Sequence, residues 1–236
     1  MTSMSLRAIL PLFCFLLAVI PPLQASEPVA NHARWQENME KFAAQDEASP
    51  PAQGGVLFLG SSSIRRWKTL ADDFPGVPVL NRGFGGSWIA DSIHYFDRLV
   101  MPSKPSVIVF YAGGNDVNGG RSPEQVAEDF RDFCAKLHSV LPKTRVIRLS
   151  VFFTEKNWEN RSRTALLNTY LAAFCRSDPR IEFLDMTSPL LSPDGKVRPE
   201  LHASDKVHLN AEGYAIWAKV LRPVLKKTML ELQNAK

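Results

Sequence analysis

From residue 56 onward the chain alternates between two hydrophobic rhythms. Short, nearly unbroken apolar runs occupy residues 56–60, 77–81, 107–111, 145–150 and 181–185. A run with no polar alternation, of which Val56 to Leu59 stopped by Gly60 is the clearest, fits a strand buried on both faces. Between these runs the apolar residues recur every three or four positions instead. Val126, Phe130, Phe133, Leu137 and Val140 form one such face. Ser122 as N-cap, Pro123 in the first turn and Gln125 in a capping box open that helix, and Pro142 follows its end. Stretches 163–176 and 211–232 carry the same spacing. Five alternations of strand and helix predict a five-stranded parallel sheet with helices on both faces, a three-layer α/β/α sandwich. No internal repeat or second domain is visible.

The first residues follow a different rule. Arg7 precedes an apolar run over 8–20, and small residues surround Ala25. The run is short of the roughly 20 apolar residues that span a bilayer core. Residues 1–25 therefore read as a secretory signal peptide cut after Ala25. The expectation is an exported protein, periplasmic or secreted, with no stable membrane anchor after cleavage. Residues 26–55 follow as an N-terminal helix, polar over 31–47, and a linker rich in Pro and Gly; 56–236 form the domain. Export permits a disulfide, yet Cys134 and Cys175 lie on the apolar sides of helical patterns and are expected to be buried free thiols.

Composition changes this picture little. Hydrophobic residues make up 45% and charged residues 22%, the usual balance of a globular protein, which excludes a disordered or collagen-like chain. The 28 Lys and Arg exceed the 24 Asp and Glu by only four. They occur in pairs such as Arg65-Arg66, whereas nucleic-acid binders concentrate charge on one face. No nucleic-acid partner is expected.

In an open parallel sheet, ligands bind beyond the carboxyl ends of the strands. Ser61, Ser62 and Ser63 follow the first strand, a glycine-rich segment through Gly83, Gly85 and Gly86 follows the second, and Gly113-Gly114-Asn115-Asp116 follows the third. Asp205 and His208 stand on one turn ahead of the last helix. Two intervening residues let a carboxylate reach imidazole Nδ1 while Nε2 faces a hydroxyl, the arrangement that activates a serine nucleophile. Glycine N–H groups and an Asn amide are suitable donors to an oxyanion. The elbow of α/β-hydrolases is excluded, because Ile64 occupies the position of its last Gly. No fourth ligand accompanies His202, Asp205 and His208, so neither a metal nor another cofactor is expected.

These four segments, in this order over residues 56–225, resemble the blocks of the SGNH hydrolases, the GDSL esterase/lipase superfamily. The resemblance implies a flavodoxin-like SGNH hydrolase fold. It places the nucleophile at Ser62 in Gly60-Ser-Ser-Ser63, with Trp67 five residues on, and the triad partners at Asp205 and His208. It implies an oxyanion hole of the Ser62 and Gly86 N–H groups with the Asn115 side chain. The chain departs from the family at Ser61, where an Asp is usual, and at Ser63, where Leu or Ile is usual.

The substrate is read from what surrounds these blocks. Short connections leave no apolar segment for a lid over a long acyl chain. Arg82, Trp88, Asn118 and Trp158 could line a rim suited to a sugar-like alcohol. The expected activity is hydrolysis of a short-chain, acetyl-type ester of a polar or carbohydrate alcohol through an acyl-enzyme. A lysophospholipase or thioesterase, an acyl transferase and a non-catalytic glycan-binding module are the alternatives.

Overall fold

The computed structural model describes residues 27–234, so the segment assigned as a signal peptide, 1–25, lies outside the described residues. Five strands run parallel in the order β2-β1-β3-β4-β5: β1 (Val56–Gly60), β2 (Val79–Gly83), β3 (Val107–Tyr111), β4 (Arg145–Leu149) and β5 (Ile181–Leu184). This is the flavodoxin-like order, whose switch point lies between β1 and β3. β1 and β3 are buried at every position, as their uninterrupted apolar runs require. One core packs helices Gln36–Ala48, Ile89–His94, Pro123–Val140 and Arg161–Ser177 on one face of the sheet. The second packs the short helices after β1 and the long Ala211–Asn234 on the other, around Trp67, Tyr214 and Trp217.

β2 lies two residues later than expected. Its polar residues find specific partners: Asn81 Nδ2 donates to the Ile64 carbonyl at 2.8 Å, and Arg82 pairs with Asp46. Val140, expected on the buried face of its helix, is 50% exposed at the last turn. At the other end of that helix Ser122 Oγ accepts from Gln125 N at 3.3 Å, but the reciprocal half of the capping box is absent. Gln125 Nε2 donates to Asp129 instead, and the Glu27 carboxylate accepts from Ser122 N at 3.0 Å.

The segment before the first long helix is a strap across this side of the molecule. His32 Nδ1 meets Asp91 at 2.7 Å, the Tyr95 hydroxyl donates to the His32 carbonyl at 2.8 Å, and Arg34 reaches the Gly86 carbonyl at 3.2 Å. Cys134 and Cys175 are buried free thiols. Burial pushes both thiol pKa values up, that of Cys175 to about 11. Among the described residues no helix is long and apolar enough to cross a membrane.

Candidate active site

The site starts at a position only glycine can fill. Gly60 ends β1 at φ +144°, and a Cβ there would fall 1.8 Å from the Tyr111 carbonyl oxygen of β3. The chain then turns outward. Ser61 N donates to that same carbonyl at 3.0 Å, and Ile64 and Arg65 N–H groups close on the Ser61 carbonyl to begin a short helix, Ser62–Arg65. Ser61 and Ser63 are each 5% exposed, while Ser62 is half-buried and faces the cleft.

Across the cleft stands the turn before the last helix. Lys206 adopts φ +58°, and Ala203 N donates to the His208 carbonyl at 2.8 Å, so the chain doubles back tightly. Asp205 Oδ1 accepts from the Val207 and His208 N–H groups, both at 3.0 Å, and Oδ2 accepts from His208 Nδ1 at 2.8 Å. His208 Nε2 lies 2.7 Å from Ser62 Oγ. Among the three consecutive serines, Ser62 is the one that meets the imidazole.

Asn115 follows β3 through Gly113, which takes φ +110°. One proton of its amide goes to the Ser87 carbonyl at 3.1 Å, which aims the side chain and leaves the second proton available. Asp116 ties this turn to the preceding block: its Oδ1 accepts from Ile89 N at 3.0 Å. Gly86, at φ +78°, is steadied from outside by Arg34. Among the described residues the Ser62 and Gly86 N–H groups have no protein acceptor.

Electrostatics separates Asp205 from His208. Burial alone would raise the Asp205 pKa, but hydrogen bonds from the His208 and Val207 backbones, the His208 ring and Arg66 hold it well below the usual carboxylate range. Burial lowers the pKa of His208, with Arg66 and Arg65 adding to the effect and Asp205 opposing it. The shift favours the neutral ring, whose Nε2 can accept the Ser62 proton.

A narrow cavity of about 50 Å³ opens beside Ser62. Tyr111, Asn115, Val151, Phe152 and Thr164 are among its walls, with Asn118 and Asn157 at its polar side. Asn118, expected at the rim, is there and is held by Asn160 Nδ2 at 2.9 Å. The other three expected rim residues are not walls of this cavity. Arg82 is 2% exposed, because its guanidinium pairs with Asp46 and lies over the Phe42 ring. Trp88 packs against Gly119 with the Arg121 guanidinium 5.7 Å from its ring, and Trp158 packs edge-on to Phe153 and beneath Arg161. His202 bonds the Arg198 carbonyl through Nδ1 at 3.0 Å and packs against Phe152. Arg66, whose Nη1 reaches Asp205 Oδ2 at 2.7 Å, was not expected at the site. Nothing in its spacing from Ser62 signals that contact.

The profile of the GDSL-like lipase/acylhydrolase family matches residues 52–216, most of the chain. The chain belongs to that family. Solved structures agree in fold. A candidate acylhydrolase from Bacteroides fragilis superposes with a TM-score of 0.70 at 23% identity, covering 82% of this chain and 98% of its own. A GDSL-like lipase from Bacteroides thetaiotaomicron gives 0.69 at 22% identity, with 80% and 98% covered. An acetylxylan esterase from Geobacillus stearothermophilus, a catalytic mutant, gives 0.59 at 16% identity, with 73% and 95% covered. At such identities the likeness is one of fold. No curated protein matches the chain. Membership of this family makes the chain a hydrolase of the esterase/acylhydrolase class.

Proposed function

We propose that the protein is a serine esterase that removes short acyl groups, acetyl above all, from a polar or carbohydrate alcohol. The observation that carries the reading is the unbroken line of hydrogen bonds from Asp205 through His208 to Ser62, ending at a small cavity beside Asn115. Ser62 Oγ attacks the ester carbonyl carbon as its proton passes to His208 Nε2. The new oxyanion is met by the Ser62 and Gly86 N–H groups and the Asn115 amide. When the tetrahedral intermediate collapses, the alcohol leaves with the proton from His208. Water then attacks the acyl-enzyme with His208 again as base, releasing the acid and restoring Ser62. Asp205 holds the ring tautomer and stabilises the imidazolium formed in each half-reaction.

Size supports the acyl preference. The cavity beside Ser62 is small, about 50 Å³, which favours a short acyl group over a long one. Longer chains gain about 0.8 kcal/mol per CH₂ only where that CH₂ is buried. The asparagines at the cavity's edge, and the acetylxylan esterase among the structural neighbours, support a sugar-like alcohol. The apolar run at residues 8–20 supports action outside the cytoplasm.

Two measurements test the reading. An organophosphonate should label Ser62 and no other serine, and the label should vanish in Ser62→Ala; an unlabelled protein would favour a glycan-binding role. In a series of aryl esters kcat/KM should peak at acetyl, and acetylated oligosaccharides should be deacetylated. A peak at about eight carbons, where several CH₂ groups must be buried, would replace the acetyl reading by a lipid one.

A further inference from the structure

Asp205 Oδ2 serves two donors at once, His208 Nδ1 at 2.8 Å and Arg66 Nη1 at 2.7 Å. We infer that Arg66 is a positioning residue of the site: it clamps the Asp205 carboxylate and, through the shared oxygen, sets how readily His208 takes up a proton. The kinetic part of this inference rests on the esterase reading; the structural part does not.

The clamp follows from counting acceptor positions. Asp205 Oδ1 is occupied by two backbone N–H groups, so the carboxylate turns only if the whole Val207–His208 turn moves. Oδ2 alone would rest on the imidazole, a bond that weakens whenever the ring tilts. Arg66 supplies a second anchor from a different part of the fold. It caps the short helix Ser62–Arg65 at its C-terminal end, 139 residues from Asp205 in sequence. The segment bearing Ser62 and the turn bearing His208 are thus joined by two bonds, Ser62 to His208 and Arg66 to Asp205. Charge-assisted bonds of this kind are short and strong for their type.

The same geometry places a fixed positive charge near the base. Arms of 2.7 and 2.8 Å on one oxygen put the Arg66 and His208 donors at most 5.5 Å apart. Two like charges at that distance, in the high effective dielectric of a partly exposed site, repel by enough to move a pKa about half a unit to one unit. Asp205 on its own turn and Arg65 after Ser62 also act on the ring. Lys206 stands on the same turn, Tyr214 of the last helix interacts with the charges of Arg66 and Asp205, and Tyr111 at the end of β3 lines the cavity beside Ser62. Glu155, on the loop after β4, is engaged by Lys206 at 2.9 Å. Among the described residues, Arg66 is the cation that bonds the Asp205 carboxylate. By its charge it opposes the imidazolium that Asp205 favours.

The test compares wild type with Arg66→Gln and Arg66→Lys by NMR titration of the His208 ring and by kcat/KM against pH on a neutral aryl acetate. In R66Q the ring should titrate about half a unit to one unit higher, as expected for loss of one nearby charge. The acid limb of kcat/KM should move with it. R66K, which keeps the charge, should recover most of the shift. A ring titration in R66Q that coincides with wild type would overturn the inference, as would an R66K shift as large as that of R66Q. A merely structural Arg66 would instead lower activity equally at every pH with the titration unmoved. Because the NMR titration needs no turnover, it decides the role of Arg66 even if no ester is hydrolysed, which separates this outcome from failure of the esterase reading.

Discussion

Asp116 is fully buried, and its carboxylate accepts from the backbone N–H of Ile89, 3.0 Å from Oδ1; among the described residues Oδ2 is buried without a protein partner. Burial pushes this carboxyl up to about 7, against the Ile89 hydrogen bond and the more distant Arg121. The folded protein thus keeps a proton on Asp116 at pH values where the unfolded chain, near the usual carboxylate pKa, has released it. Stability contributed by the protonated form is present at acid pH and is lost as pH rises from about 4 towards 7. At 1.36 kcal/mol per unit, the loss is at most about 4 kcal/mol. Asp116→Asn preserves an acceptor for Ile89 and has no charge to bury. Denaturation at pH 5 and pH 8 should show the wild type losing stability over that interval relative to D116N.

His208 should make the enzyme active on the acid side of neutrality. Its pKa is lowered chiefly by burial, so the neutral base persists below the usual imidazole value of about 6.5. Below its folded pKa the ring is protonated and cannot accept from Ser62. A plot of kcat/KM against pH for an aryl acetate should rise with a midpoint below about 6.5. A midpoint clearly above neutrality would mean that the Asp205 attraction outweighs desolvation.

Asn115→Ala tests the oxyanion donor. The amide is already oriented by its bond to the Ser87 carbonyl. Loss of a pre-aimed donor of this kind costs about 10²- to 10³-fold in kcat. KM should change much less, since the developing oxyanion exists only beyond the ground state. A variant that lost affinity while keeping kcat would assign Asn115 to ground-state binding.

How much of this was legible in the chain depends on how local each cause is. β1, β3 and the helix opened by Ser122 follow from short-range patterns, and all three stand where those patterns put them. β2 slipped by two residues because Asn81 and Arg82 look like loop residues until their partners Ile64 and Asp46 are known. The same distant partner removed Arg82 from the rim. Asp205 and His208 announce themselves by spacing on one turn. Which of three adjacent serines meets His208 is a matter of where the chain turns after Gly60. Arg66 lies further still from inference, since its partner is 139 residues away.

Gly60→Ala should be among the most disruptive single substitutions in the protein. The added carbon would sit 1.8 Å from the Tyr111 carbonyl, and φ +144° is strained for any side chain. Gly54, at φ +72° with open space among the described residues where a Cβ would point, is the control. Gly54→Ala should cost on the order of 1 kcal/mol, the usual price of a left-handed alanine. Gly60→Ala should cost more than about 4 kcal/mol or leave no folded protein. Thermal denaturation of the two variants decides it.

The bond between Ser62 and His208 spans 146 residues, and the Tyr214 hydroxyl bonds the Ser63 carbonyl across 151. Both depend on the last long helix docking against the segment that follows the first strand. Contacts so distant in sequence carry a large loop-closure cost and form slowly relative to local structure. A growing or refolding chain therefore acquires most of its helix and sheet before it holds any catalytic geometry. During refolding, the far-ultraviolet signal should return ahead of activity, and a chain ending before Ala211 would lack the helix that seats His208 at all.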